Sequence, residues 1–227
     1  MKVINNFDFL RAVSELLPKL LGEALRIVII VTILGFILAL IVGFILALAR
    51  VSKSKILNGI VIVFQEIIRG TPLLVQIYII YIGLPKLIGI DLPDMTVGAV
   101  ALAFNSAAYV SEIIRAGIEA VDKGQMEAAR SLGMTQRMAM FQVVIPQAFK
   151  NILPALGNEF ISVIKESSMV SVIGVAELMY NAGIVRGNTA LGLEPIIVAA
   201  VIYFILTFTL TRGLKYVERR MKASDIR

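Results

Sequence analysis

Residues 27–49 form an apolar run that contains no charged side chain. At about 1.5 Å rise per residue, a helix of this length spans roughly 34 Å, which exceeds the hydrocarbon core of a bilayer at about 30 Å. Arg50, Lys53 and Lys55 follow directly, so the small-residue cleavage site of a signal peptide is missing after the run. The run therefore predicts a membrane-spanning helix that stays in the mature protein.

Further apolar segments predict an all-α membrane protein with five transmembrane helices. Of the whole chain, 58% is hydrophobic and 17% is charged, which is typical of membrane proteins. No internal repeat or low-complexity linker marks a second domain, so we expect residues 1–227 to form a single transmembrane domain. The other four segments cover about residues 56–87, 93–120, 146–174 and 195–216.

The second segment is too long for one straight crossing, and polar residues interrupt it. Glu66, Arg69, Gly70 and Pro72 lie near its middle. Proline removes a backbone donor and disfavours helix at the residue before it. We expect one long helix that is broken near residues 70–72, and two short interfacial helices remain the alternative.

The distribution of basic residues predicts the orientation of the chain. With the N-terminus outside, 14 of the 22 lysines and arginines lie in cytoplasmic segments and 6 lie outside, while Arg69 and Lys165 fall within spans. This asymmetry favours an N-terminus outside and a C-terminus in the cytoplasm, in a multi-pass protein of the cell membrane. It also explains the net charge of +6 without nucleic acid. Residues 1–23 read as an amphipathic helix on the outer surface.

The chain contains no cysteine and no histidine. A disulfide, a zinc site of the usual kind, a haem ligand and a Cys/His nucleophile pair are thereby excluded. We expect no catalytic residue and no metal site, and therefore not an enzyme. An intramembrane enzyme is further disfavoured because no close pair of catalytic carboxylates is evident.

The cytoplasmic loop of residues 124–145 has a helix-forming composition. Gly133 separates it into two short helical pieces, since glycine suits a helix end. Small residues at Ala128 and Ala129 would let such a protruding pair of helices pack closely into the groove of a soluble partner. An ordinary interfacial loop is the alternative that physical reasoning alone leaves open.

The spacing of this loop resembles the EAA loop of ABC importer permeases. Glu127, Ala128 and Ala129 are followed after three residues by Gly133, and after nine more by Val-x-Ile-Pro at residues 143–146. The segments RGTPLLVQ (69–76), AYVSEIIRAGI (108–118) and KESSMVSVIGVAEL (165–178) look like the polar amino acid subfamily of these permeases.

The resemblance implies a fold and a set of partners. The fold is the type I importer permease, with five transmembrane helices and a cytoplasmic coupling helix, in a homodimer or in a heterodimer with a paralogue. Two cytoplasmic ABC ATPases would dock on the coupling helix, and an extracytoplasmic binding protein would deliver an amino acid. The chain has no GxxxxGK[ST] loop, so we expect no cofactor here and place ATP and magnesium on the ATPase. The coupling contact falls on Glu127, Ala128, Ala129, Leu132 and Gly133.

Polar residues within the spans are the candidates for a substrate site, because they are costly in a bilayer. Counting from the ends of their segments places Glu66, Asn105 and Asn158 roughly 15–17 Å deep, near the midplane where transporters bind cargo. Helix ends freed at the break would supply backbone donors to a carboxylate. The candidate substrate-binding residues are Glu66, Thr71, Leu73, Asn105, Ser106, Tyr109, Asn158, Glu159 and Ser162.

A polar or basic amino acid is the expected cargo, with Glu66 as the partner of its cationic group and Glu159 as the alternative. The alternative for the site is that these residues only pair helices within the bilayer, with Glu66 paired to Arg69 three residues on. The alternative for the function is an amino acid transporter driven by an ion gradient. That class would call for inverted repeats or a proton-relay chain, and neither is found in the sequence.

Overall fold

The computed structural model describes residues 14, 17–18, 20–52, 54–189 and 192–223, and these ranges contain helices and no strand. Most of residues 1–23, for which the sequence predicts an amphipathic surface helix, lie outside these described ranges. The helices of the described ranges are α1 (Leu25–Val51), α2 (Lys55–Gly70), α3 (Leu73–Ile88), α4 (Asp94–Glu119), α5 (Lys123–Ser131), α6 (Gln136–Ala139), α7 (Ile145–Glu166), α8 (Leu178–Thr189) and α9 (Glu194–Ala223). Short π-helical segments, Leu20–Ala24 and Met140–Val144, precede α1 and α7, and a 3-10 helix, Ser167–Ile173, follows α7.

Three of these helices are long and apolar enough to cross a bilayer without a break: α1, α4 and α9. Two bent pairs, α2 with α3 and the α7 segment with α8, reach the same length and composition together. Five crossings result when each bent pair counts as one. The all-α membrane fold predicted from the sequence is confirmed.

The break in the second segment lies where the sequence predicts it. Helix α2 ends at Gly70, Thr71 and Pro72 are extended, and α3 starts at Leu73. The two helix axes meet at 112°. Pro72 ends the first helix because it has no backbone donor and disfavours helical geometry at Thr71.

Helix α4 forms the centre of the molecule, and α1 packs along it most closely. Gly35 and Gly43 of α1 make this approach possible. A Cβ added at Gly43 would lie 2.6 Å from Val110 Cγ1, and one at Gly35 would lie 3.2 Å from Leu102 Cβ. Small residues at such contacts are the usual means of close helix packing in a membrane.

Helix α8, which the sequence analysis did not predict, lies between α7 and α9 along the chain. Glu177 is completely buried and caps the start of this helix. Its carboxylate accepts hydrogen bonds from the backbone N–H groups of Met179 and Tyr180, each at 2.8 Å, and from the Tyr203 hydroxyl at 2.7 Å. The Glu177 side chain thus caps the N-terminus of α8 and connects this helix to α9 through the hydrogen bond from Tyr203.

The loop of residues 124–145 is helical, as its composition predicts. Gly133 lies between α5 and α6 with φ of +86°, a conformation that glycine adopts without steric cost. The N–H of Met134 donates to the carbonyl of Ala129 at 3.2 Å, which closes the end of α5.

Candidate functional site

Helix α4 carries two adjacent polar side chains, Asn105 and Ser106, that are buried against different neighbours. Asn105 is 5% exposed and Ser106 is fully buried. Asn105 Nδ2 donates to Gln76 Oε1 of α3 at 2.9 Å, and Ser106 Oγ donates to Glu159 Oε1 of α7 at 2.8 Å. Both predicted residues therefore connect α4 to another span.

The Gln76 amide lies at the break between α2 and α3. Its Nε2 donates to the carbonyl oxygens of Ile68 at 2.8 Å and Thr71 at 3.0 Å, and lies 3.0 Å from Thr71 Oγ1. Thr71 is exposed, and its hydroxyl donates to the carbonyl of Ile67 at 2.8 Å. Leu73 is half-buried and packs against the apolar core around Ile77.

Glu66 has a different environment from its neighbour Gln65. Gln65 is buried, and its Nε2 donates to Ser111 Oγ of α4 at 2.7 Å. Glu66, about 100° further around α2, is exposed. Ser111, the partner of Gln65, lies six residues beyond Asn105 along α4. Glu66, which is next to Gln65, therefore lies at a height between Asn105 and Ser111 and not at the level of Asn105.

Arg69 and Tyr109 form a further contact between α2 and α4. The Arg69 guanidinium carbon lies 5.9 Å from the centre of the half-buried Tyr109 ring, within the range of a cation–π interaction. Within the described ranges, Glu66 and Arg69 make no ion pair with each other. The pairing of Glu66 with Arg69, the structural alternative at this position, is not formed.

The predicted residues of α7 divide between two faces. Glu159 is half-buried and turns towards Ser106, and Ser162 is half-buried on the next turn. Asn158 is exposed, and its Nδ2 donates to the carbonyl of Pro154 at 3.1 Å within the same helix. Of these two neighbouring residues, Glu159 and not Asn158 therefore reaches α4.

Several polar residues of this region were missed by sequence reasoning, because buried amides and hydroxyls in a span do not reveal their partners. Gln76 was noted only as part of a motif, although an uncharged amide inside an apolar helix is itself a signal. The missed residues are Gln65, Gln76 and Ser111.

Most of the predicted coupling residues, which lie in the loop between α4 and α7, are exposed on the surface of the subunit. Glu127, Ala128 and Gly133 are exposed, and the Leu132 side chain is 84% exposed at the tip of the loop. Ala129 is buried within the subunit at 4% exposure. Four of the five predicted coupling residues are thus available to a partner.

Residues 39–223 match the family of binding-protein-dependent transport system inner membrane components. The chain belongs to this family. It is accordingly a permease subunit of an ABC importer, the membrane component of a transport system. The membership favours the ATP-driven importer over the ion-gradient transporter.

Relatives of this permease that align over almost their whole length carry amino acid names. The arginine transport system permease protein ArtQ of Bacillus subtilis is 43% identical over 97% of this chain and 100% of its own. The putative glutamine transport system permease protein GlnP of Rickettsia bellii is 42% identical over 91% of this chain and 96% of its own. The chain is thus a member of the polar amino acid branch of these permeases.

Solved structures agree with the permease fold. An amino acid ABC transporter crystallised with histidines superposes with a TM-score of 0.87 at 48% identity, over 97% of this chain and 100% of the other. The MetNI methionine ABC transporter superposes with a TM-score of 0.70 at 19% identity, over 92% and 97%, which shows the shared fold alone.

Proposed function

We propose that this permease imports polar or basic amino acids, with Glu159 as the partner of the cationic group of the cargo. The observation that carries this proposal is a carboxylate held in the middle of a span by Ser106. One oxygen of Glu159 accepts a single hydrogen bond from a neutral hydroxyl, so the carboxylate keeps capacity for an ammonium or guanidinium group. Relatives named for arginine, glutamine and cystine transport support this substrate class.

Glu66 is the second carboxylate of the proposed site. It lies on α2 next to the break, and its side chain is exposed on the isolated subunit. A charged side chain facing lipid at this depth is costly, so such a residue faces a water-filled cavity or another protein. We assign Glu66 to the path of the cargo and Glu159 to the point where its cationic group is bound.

A second permease copy would complete this path. Asn158 and Lys165 of α7 and Arg69 of α2 are exposed within spans, which lipid alone would not accommodate. A homodimer or a heterodimer with a paralogue would cover them and would place two such subunits around one or two cargo paths.

The remaining partners follow from the permease family. Two cytoplasmic ABC ATPases would bind α5 through its exposed tip at Leu132, and their closure on ATP would switch the access of the site. An extracytoplasmic binding protein would deliver the amino acid. The N-terminus would lie outside and the C-terminus in the cytoplasm, as the distribution of basic residues indicates.

The role of Glu159 is tested by Glu159→Gln in the complete transporter, reconstituted with its ATPase into liposomes. We expect uptake of arginine, lysine and histidine to require at least about tenfold more substrate, equivalent to about 1.4 kcal/mol, while glutamine uptake changes less. Glu119→Gln at the end of α4 is the matched control and should transport normally. Undiminished affinity for arginine in Glu159→Gln would contradict the proposal.

The energy source is tested in the same liposomes. Uptake should depend on hydrolysable ATP inside and persist when ionophores remove the ion gradients. Uptake by the permease alone, driven by an ion gradient, would contradict the proposed importer.

A further inference from the structure

The Gln76 side chain makes polar contacts to both sides of the break and to α4. We infer that Gln76 and Asn105 are positioning residues, which hold α2 and α3 at their angle and thereby set the geometry of the cargo site. The functional part of this inference rests on the proposed function, whereas its structural part does not. Both side chains are 5% exposed, so neither is available to bind cargo directly in this conformation.

The break leaves backbone groups that need partners. The last carbonyls of a helix have no donor within it, and a bilayer offers no water to replace that donor. The Gln76 Nε2 group supplies donors to Ile68 and Thr71, whose oxygens lie 2.8 and 3.0 Å away. One side chain from the start of α3 therefore satisfies the end of α2.

The other end of the same amide is fixed to the centre of the molecule. Gln76 Oε1 accepts the hydrogen bond from Asn105 Nδ2 at 2.9 Å. The end of α2, the start of α3 and the middle of α4 are thus joined through one side chain. An apolar residue at position 76 would release all three at once.

Residues of the proposed site and residues next to it lie on α2 and on α4, the helices that the Gln76 side chain connects. Glu66 and Arg69 belong to α2, whereas Tyr109 and Ser106 belong to α4. A change in the angle at the break would move the first pair relative to the second. Gln76 would then influence the affinity for cargo without contacting it.

The structural part is tested by measuring distances across the break in the assembled transporter. Because the chain contains no cysteine, spin labels placed at Val63 and Ile79, which are 58% and 64% exposed, have unique positions. Dilution with unlabelled chain leaves one labelled copy in each complex. We expect Gln76→Met and Asn105→Leu to broaden or shift the distance distribution by several ångströms.

Gln65→Met is the matched control, because it removes a buried amide hydrogen bond between α2 and α4 that does not touch the break. We expect it to keep the native distribution. A native distribution in Gln76→Met and Asn105→Leu would overturn the inference, as would an equal broadening in Gln65→Met. If both variants fail to accumulate while Gln65→Met does, the pair serves folding and not positioning, which would also overturn it.

The functional part is tested by uptake kinetics of the same variants. We expect Gln76→Met to raise the KM for arginine about tenfold while kcat changes less. The double variant Gln76→Asn with Asn105→Gln, which exchanges the two amides, should have a higher affinity for arginine than Gln76→Met. Altered distances with an unchanged KM would overturn the link to the cargo site. If native complexes transport no amino acid, the proposed function fails, and the distance measurement still tests the structural part.

Discussion

At the scale of single residues, the centre of the molecule depends on glycines that face α4. In a bilayer, helices gain little from exchanging lipid contacts for protein contacts, so close van der Waals packing carries much of their association. Gly43 allows this packing, since its α-carbon faces Val110 and the carbonyl of Ala107. A glycine elsewhere in the spans, Gly59, has open space around it.

We expect Gly43→Ala to destabilise the subunit, because the added methyl group has no room beside Val110. Overpacking of this kind typically costs about 1–3 kcal/mol. Gly59→Ala is the matched control, and it should be neutral or slightly stabilising because alanine suits a helix better. Thermal unfolding of the purified complex, followed by size-exclusion chromatography, measures both; equal midpoints for the two variants would contradict the tight contact.

At the scale of secondary structure, α5 combines a surface for a partner with an anchor to its own subunit. Neighbouring small residues have opposite orientations there: Ala128 is exposed and Ala129 is buried. A large side chain should therefore have different consequences at the two positions.

We expect Ala128→Trp to prevent co-purification of the ATPase while the thermal stability of the permease alone stays unchanged. Ala129→Trp should lower the stability of the permease itself, because the ring has no space within the subunit. Pull-down of a co-expressed ATPase and unfolding of the isolated permease separate the two effects. Normal ATPase binding and coupled transport in Ala128→Trp would refute the docking role of this face.

At the scale of the whole molecule, α4 packs against α1, α2, α3 and α7 and joins them into one bundle. The orientation of this bundle in the membrane decides which end meets the ATPase. The basic residues predict the side of each loop, and single cysteines can report it, because the chain has none of its own.

We expect Asp91→Cys, in the exposed loop before α4, to react with a membrane-impermeant maleimide in right-side-out vesicles. Ser54→Cys, in the exposed loop before α2, should react only after the vesicles are permeabilised. Leu102→Cys, which is buried in α4, is the control that should react in neither case. The reverse labelling pattern would contradict an N-terminus outside.

The fold was largely predictable because it depends on local properties of the chain. The length of an apolar run decides whether it crosses the bilayer, and the missing donor of Pro72 decides where the second segment breaks. Gly133 and the spacing around it likewise indicated two short helices in the loop of residues 124–145. Helix α8 was missed because its first turn depends on Glu177, whose partner Tyr203 is distant in sequence.

The candidate site was less predictable, because in a bilayer both the lipid-facing and the interior sides of a helix are apolar. The sequence then does not tell which of two neighbouring polar residues faces the interior of the bundle, as with Gln65 and Glu66 or with Asn158 and Glu159. The sequence by itself determined the five apolar segments and the position of the break, and it predicted the loop that we propose to bind an ATPase. Only the tertiary structure decided that Gln65 and Glu159 turn towards α4, because that choice depends on which neighbours each helix packs against.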